Sequence, residues 1–530
     1  MEKNFKESMN WLHTWSGLIV GWLLFTIFVT GTSAYYKDEI NIWMKPEFHK
    51  ALVSENAIQI AINKATESIK TSNKVSVSLP NSRTNVISVI VEKTQIAKQK
   101  KGRTPPRYYD ASSGKEIKET TKTAGGNFLY RFHFELYGIS KYLGRWIIGI
   151  ASMIMFVAII SGILIHKRIF KDIFTFRPEN NTRGWMNAHI LPAVAALPFL
   201  IMITYSGLVL FGNIMFPHSM KIYYDNNFMK LREDYMALQI NTNYNSNKSI
   251  KTNLQKSIIK NKPNENNLTS EKLSKIIAKA NNIWPNNIGG FNISKIEDRY
   301  IVEVTTKNPN TIFSTRISRE SITYDANTAE VLKQSNPPSL KSTIINTNTA
   351  IRALHEARFA NSTLRFFFFL SGILGTVVAG TGLILWIQKR KKKNMTNESF
   401  GFWLIEKLNI GTIVGLFIAI GIFFIANRVL TVEENIRREL EINIFFVTWL
   451  LAYIHAFIRV TSKAWKEQLL FAAIVFAIIP FINALTIFDS FTQIFNRDNI
   501  FIFFDIFSFF IASIFILIRF ILIKIQRRKA

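Results

Sequence analysis

Eight histidines and no cysteine set the redox chemistry open to this chain. Without thiolates it has no iron–sulfur ligands, thiol relays or disulfides. Four of the histidines recur in a pattern. His13 precedes Gly31 by 18 positions and His189 precedes Gly207 by 18, and each glycine follows a hydroxyl residue, Thr30 or Ser206. A second spacing also occurs twice: Arg145 precedes Gly162 by 17 positions and Arg365 precedes Gly382 by 17. His133 lies 12 positions before Arg145 and His355 lies 10 before Arg365. Two imidazoles facing each other across a helix bundle can fill both axial positions of a haem iron. No C-x-x-C-H occurs, so such a haem would be b-type and non-covalently held. A lone histidine at a helix end is ordinarily a hydrogen-bonded interfacial side chain. Four that recur with a repeat favour ligation instead, giving His13 with His189 and His133 with His355 as axial pairs. His166 has Trp386 as its repeat partner, so it reads as an interfacial residue, with an alternative ligand as the minor reading. His49, His218 and His455 have no partner in the repeat and read as structural or exposed.

The elements that must position these residues are long and apolar. The chain is 48% hydrophobic and 13% aromatic over 530 residues. A helix of ~20 apolar residues crosses a ~30 Å hydrocarbon core, and eight such spans are expected, at 11–35, 145–166, 187–214, 365–387, 403–427, 443–460, 468–488 and 500–523. The first is kept as a span, because it is too long for a signal peptide and lacks a small-residue cleavage site. Eighteen helical residues carry the chain ~27 Å, nearly the whole core. Gly31 and Gly207 therefore belong at the level of His133 and His355, and Gly162 and Gly382 at the level of His13 and His189. Each helix would lend a ligand to one haem and a small-residue notch to the other. Arg145, Arg358 and Arg365 can pair with haem propionates, since guanidinium matches carboxylate; contact with lipid headgroups is the competing reading.

Basic clusters fall in the short connections, at Lys167–Arg183, at 388–393 (QKRKKK), at Lys463 and Lys466, and at 527–529. All lie on one side of an eight-span arrangement, which makes that side cytoplasmic and places both termini there. The net charge of +29 is then largely this bias, and nucleic acid is not an expected partner. The resulting order is helix 1–36, outer module 37–143, helix 144–167, loop 168–184, helix 185–215, outer module 216–364, helix 365–388, basic linker 389–400 and a bundle of four helices at 401–530. Within the outer modules, helices are expected at 55–65 and 270–280. Strands are expected at 74–79, 85–92, 299–306 and 312–318, with strand–turn–strand units at 108–117 and 321–332, where Asp110 and Asp325 hold equivalent places. The expected class is thus a mainly α-helical polytopic membrane protein. It has a four-helix haem-binding bundle, two α+β modules and an extra C-terminal membrane bundle.

Taken together, the H-x3-G start and T-G end of span one, H-F-E-L-Y-G before span two, the His189 span with its S-G, and L-H-E-A-R-F leading to G-T-G-L-I-L-W resemble the PepSY-associated transmembrane-helix family. This bacterial family includes siderophore-iron reductases and other iron-regulated inner-membrane proteins. The D-A strands at Asp110 and Asp325 resemble PepSY modules, and the resemblance covers about 1–390. It implies periplasmic modules, bound haem b and, in reductase members, reduction of ferric siderophore at the periplasmic side. The 401–530 bundle lies beyond it. No dinucleotide or flavin fingerprint is present, so electrons are expected from a quinol or a separate reductase. The leading expectation is an inner-membrane di-haem b electron-transfer protein that reduces a ferric chelate. A transporter of iron–siderophore and a non-enzymatic sensor or peptidase-regulating protein are the alternatives.

Overall fold

The computed structural model describes residues 3–92, 105–118, 121–165, 182–215, 217–225, 227, 229–230, 267–296, 299–307, 320–335, 343–391, 399–431, 434–487 and 499–527. Its helices, in chain order and apart from the short Gly212–Met215 and Pro217–Tyr224, are α1 (Lys3–Ala34), α2 (Lys37–Trp43), α3 (Ala57–Ile69), α4 (Gly125–Glu135), α5 (Lys141–Ile165), α6 (Thr182–Ala195) and α7 (Leu197–Leu210). There follow α8 (Ser270–Ile283), α9 (Thr343–Glu356), α10 (Ser362–Lys391), α11 (Phe400–Ile413), α12 (Gly415–Val429), α13 (Glu434–Ile458), α14 (Thr461–Ile487) and α15 (Asn499–Arg527). The strands are β1 (Lys74–Ser78), β2 (Val86–Glu92), β3 (Arg107–Asp110), β4 (Glu116–Ile117), β5 (Ile288–Ile296), β6 (Arg299–Thr306), β7 (Ser321–Asp325) and β8 (Val331–Ser335). The chain forms two compact units, one of residues 1–46, 121–215 and 360–530, the other of 47–120 and 216–359.

The first unit is helical. Among the described residues, seven stretches in it are long and apolar enough to cross a membrane by length and composition, with α11 and α12 forming one of them. The third expected span, 187–214, falls on two helices, α6 and α7, bent by 69° at their joint, which together make an eighth if counted as one. The break falls at Ala196, between Pro192 and Pro198. Pro198 has no N–H to donate, and its ring excludes the carbonyl of Val194 one turn earlier, so the helix cannot continue straight. Helix α1 packs along α5 and α10, α6 along α10, and α5 along α7, which closes a four-helix bundle. Helices α11 to α15 pack on one another beside it. Among the polar contacts that join the bundles, Trp22 Nε1 donates to Asn409 Oδ1 at 2.8 Å, and Asn409 Nδ2 donates to the Leu383 carbonyl at 3.3 Å.

In the second unit the strands of both outer segments come together. All eight strands form one antiparallel sheet in the order β4-β3-β2-β1-β5-β6-β7-β8. The joint is β1 against β5, with Val75 opposite Ile293 and Val77 opposite Phe291. Alternation puts Val75, Val77, Ile87, Val89, Phe291 and Ile293 into one core with the apolar faces of α3 and α8. β5 was not among the expected strands; the strand expected at 312–318 lies outside the described residues, as does most of 241–269. Asp110 and Asp325 close equivalent turns. Asp110 Oδ1 accepts from the amides of Ser112 and Ser113, and Asp325 Oδ1 from those of Asn327 and Thr328. The role of both is local turn closure.

Candidate functional site

In the first unit, three of the four repeat-related histidines sit in one recurring arrangement. His13 on α1 places Nδ1 2.8 Å from the carbonyl of Ala158 on α5. His189 on α6 places Nδ1 3.0 Å from the carbonyl of Val378 on α10. His133 on α4 places Nδ1 2.9 Å from the carbonyl of Ile27 on α1. Each of these carbonyls lies four residues before a glycine of the repeat: Gly162, Gly382 and Gly31. Positions four apart stack on one helix face, so a missing side chain at the glycine lets the imidazole reach the carbonyl one turn away. A Cβ at Gly162 would stand 3.1 Å from His13 Cε1, one at Gly382 3.2 Å from His189 Cε1, and one at Gly31 only 2.6 Å from the His133 ring. In the structure Gly31, Gly162 and Gly382 each seat the edge of an imidazole.

The residue before each glycine supports this seat. Thr30 Oγ1 donates to the Thr26 carbonyl at 2.7 Å, Ser161 Oγ to that of Ala158 at 3.0 Å, and Thr381 Oγ1 to that of Val377 at 2.6 Å. Thr381 Oγ1 also lies 3.3 Å from His189 Nδ1. The fourth copy of the seat, Ser206–Gly207, has the same internal bond, Ser206 Oγ to the Ile203 carbonyl at 3.1 Å. A carbonyl can only accept, so Nδ1 donates a hydrogen in each of these three contacts. A histidine held in this way ligates a metal through Nε2. His133 is half-buried, and desolvation holds its imidazole below the ordinary value of 6.5 while the Ile27 carbonyl pulls the other way. His13 and His189 face each other with ring centroids 6.2 Å apart and planes at 65°.

His355 lies in the last turn of α9, half-buried, in the second unit. His49 is buried there, His218 is exposed, and His455 on α13 bonds Glu467 of α14 at 3.0 Å. His166 lies outside the described residues. The three expected arginines each carry an acidic partner: Arg145 with Glu135, Arg365 with Glu39 and Arg358 with Glu356. Arg131 Nε shares Glu135 at 2.8 Å. Partial burial would raise the Glu135 carboxyl, but these two guanidinium groups outweigh it and hold it below its ordinary value.

Sequence reasoning passed over a cationic group near His13. Lys389 is within electrostatic reach of the His13 ring. Arg390 lies 3.8 Å above the Trp386 ring and 5.6 Å from that of Trp15. The Trp386 Nε1 is buried without a hydrogen-bond partner among the described residues, and Lys389 and Arg390 have no ion pair among them. The signal was present as the basic end of α10, but it read as membrane-flanking charge.

A family model described as the PepSY-associated TM region matches residues 10–389. No curated protein matches the chain.

Proposed function

The chain belongs to the family of PepSY-associated TM regions, and from that premise we infer that this multi-pass membrane protein transfers electrons through two b-type haems to a ferric chelate such as a ferric siderophore. The observation that carries the reading is the His13–His189 pair. His13 and His189 face each other closely enough that both would ligate the iron of one haem, which would supply one-electron chemistry. The pair here is separated by 6.2 Å. Carbonyls engage both Nδ1 atoms, so Nε2 is the nitrogen through which each ring would ligate iron. Among the described residues no three His, Asp or Glu side chains converge on a metal position. An iron at this pair would therefore take its other ligands from a cofactor, as a porphyrin provides.

The second pair, His133 with His355, rests on the sequence repeat. Lys389, Arg390 and the Trp386 indole N–H suit the carboxylates of a haem at His13 and His189; Arg145, Arg358 and Arg365 suit those of a haem at the other level. Bound haem supplies a one-electron iron couple. The chain's own part is to ligate through Nε2, to hold each tautomer by a carbonyl, and to exclude water with the apolar bundle. In this reading the protein sits in the bacterial inner membrane with both termini cytoplasmic and the sheet unit periplasmic. A quinol or a separate reductase gives the electron at the His13 level. The ferric chelate takes up one electron, and its hard oxygen donors hold the resulting Fe²⁺ less tightly, so iron is released.

Purified protein from iron-supplied cells is expected to show a reducible b-type Soret band with two haems per chain. His13→Ala is expected to remove one of the two. A haem-free protein would overturn the reading. The 69° break between α6 and α7 favours one competitor, a transporter with a discontinuous helix at its substrate site. Siderophore uptake into proteoliposomes by haem-free protein would select it.

A further inference from the structure

We propose that the C-terminal bundle is the seat of the His133 helix, with Glu441 acting as a positioning residue that fixes α4 from outside the family region. Only the haem arm of this proposal rests on the function inferred above. Helix α4 opens on Ala124, Gly125 and Gly126, a poor start for a helix, and its N-cap residue Ala124 offers no side-chain acceptor. A carboxylate from α13 instead holds this end by the amide of the N-cap residue itself. Glu441 Oε2 accepts from the Ala124 amide at 2.8 Å and from Thr123 Oγ1 at 2.6 Å. Its other oxygen accepts from Asn427 Nδ2 at 2.7 Å and lies 3.7 Å from Arg437 Nε. Glu441 is 0% exposed. A carboxylate so deeply placed is tolerated when its oxygens are satisfied, and here one of them is satisfied by the end of α4.

The side of α4 is held as well. Phe128 and Phe132, one turn apart, meet Phe445 at 5.1 Å and Phe446 at 5.5 Å between ring centroids, and Phe132 reaches Trp449 at 6.2 Å. His133 follows Phe132 in sequence and so projects about 100° further round the helix, toward Ile27 of α1. Rotating α4 about its axis would break both contacts at once. The same bundle grips α2, which packs on α4. The Arg428 guanidinium lies 4.0 Å over the Trp43 ring and donates to its carbonyl, while Trp43 stacks on Phe504 at 4.2 Å. The family match ends at 389, so a histidine inside the family region is oriented by residues beyond it.

The test uses the full-length protein with Glu441→Ala and Glu441→Gln. Amide exchange is measured over 124–132, together with the midpoint potential and EPR g values of each haem. Glu441→Ala is expected to speed exchange at the start of α4 about tenfold and to shift the potential and g values of one haem only. Glu441→Gln, which keeps an acceptor oxygen, is expected to recover most of both. Unchanged exchange in Glu441→Ala overturns the proposal, and so does faster exchange with both haem signatures unaltered. If the unaltered protein carries no haem, the electron-transfer reading fails by itself. The seat is then judged by exchange and by the His133 ring resonances, which must move in Glu441→Ala for it to stand. Should Glu441→Ala not accumulate, Phe445→Leu replaces it: faster exchange over 124–132 with one haem shifted supports the seat, and unchanged exchange overturns it.

Discussion

A glycine in this bundle acts through the ring it admits. Gly31, Gly162 and Gly382 look alike in sequence, yet a Cβ would approach the imidazole to 2.6, 3.1 and 3.2 Å respectively. The first distance forces the ring to move; the other two ask for a few tenths of an ångström. If the chain binds haem as proposed, Gly31→Ala is therefore expected to lower binding of one haem severalfold, while Gly162→Ala and Gly382→Ala keep theirs with small spectral shifts. Haem titration of the three purified variants decides the ranking, and equal effects would remove it. The His–Gly spacings were readable because they recur. The acceptors were not, because the carbonyls of Ile27, Ala158 and Val378 belong to the backbone and leave no mark in residue type. Lys389 and Arg390 were visible but ambiguous, since cations beyond an apolar run have an ordinary explanation at a membrane surface.

At the scale of elements, alternation made β1, β2, β6 and the two hairpin turns legible. It failed for β5, which follows Asn286 and Asn287 and contains Gly289 and Gly290, residues that ordinarily mark a turn. The hairpin turn at Asp110 carries its own pH dependence. Partial burial pushes the carboxyl up, but bonds from Ser112, Ser113 and the Leu52 amide together outweigh it and hold it below its ordinary 3.8. A carboxyl lowered on folding stabilises the fold above its unfolded value, and that contribution is lost as pH falls through the folded one. Amides 112–114 are thus expected to lose protection as pH drops below about 4, after correction for intrinsic exchange. In Asp110→Asn the amides should be less protected at neutral pH and show no such loss. An unchanged pH profile in the variant would count against this turn.

At the scale of the whole chain, the sequence pattern separated two membrane bundles and two outer modules, and it was silent on how the modules join. Their common sheet depends on a close approach: a Cβ at Gly290 would stand 2.2 Å from the Val77 carbonyl. Gly290→Val is expected to part β1 from β5 at a cost of about 2 kcal/mol or more. Exchange should quicken along both strands, while the histidine seats in the helical unit keep their spectra. If β1 and β5 stay protected, the seam is stronger than its backbone contact implies. The same seam sets a clock on biosynthesis. β1 ends at Ser78 and its partner begins at Ile288, so more than two hundred residues must be made between them. At 5–20 residues per second this is roughly 10–40 s. Throughout that interval the nascent chain presents an open strand edge that no later part of itself can yet cover, and a factor that shields such edges would have its work there.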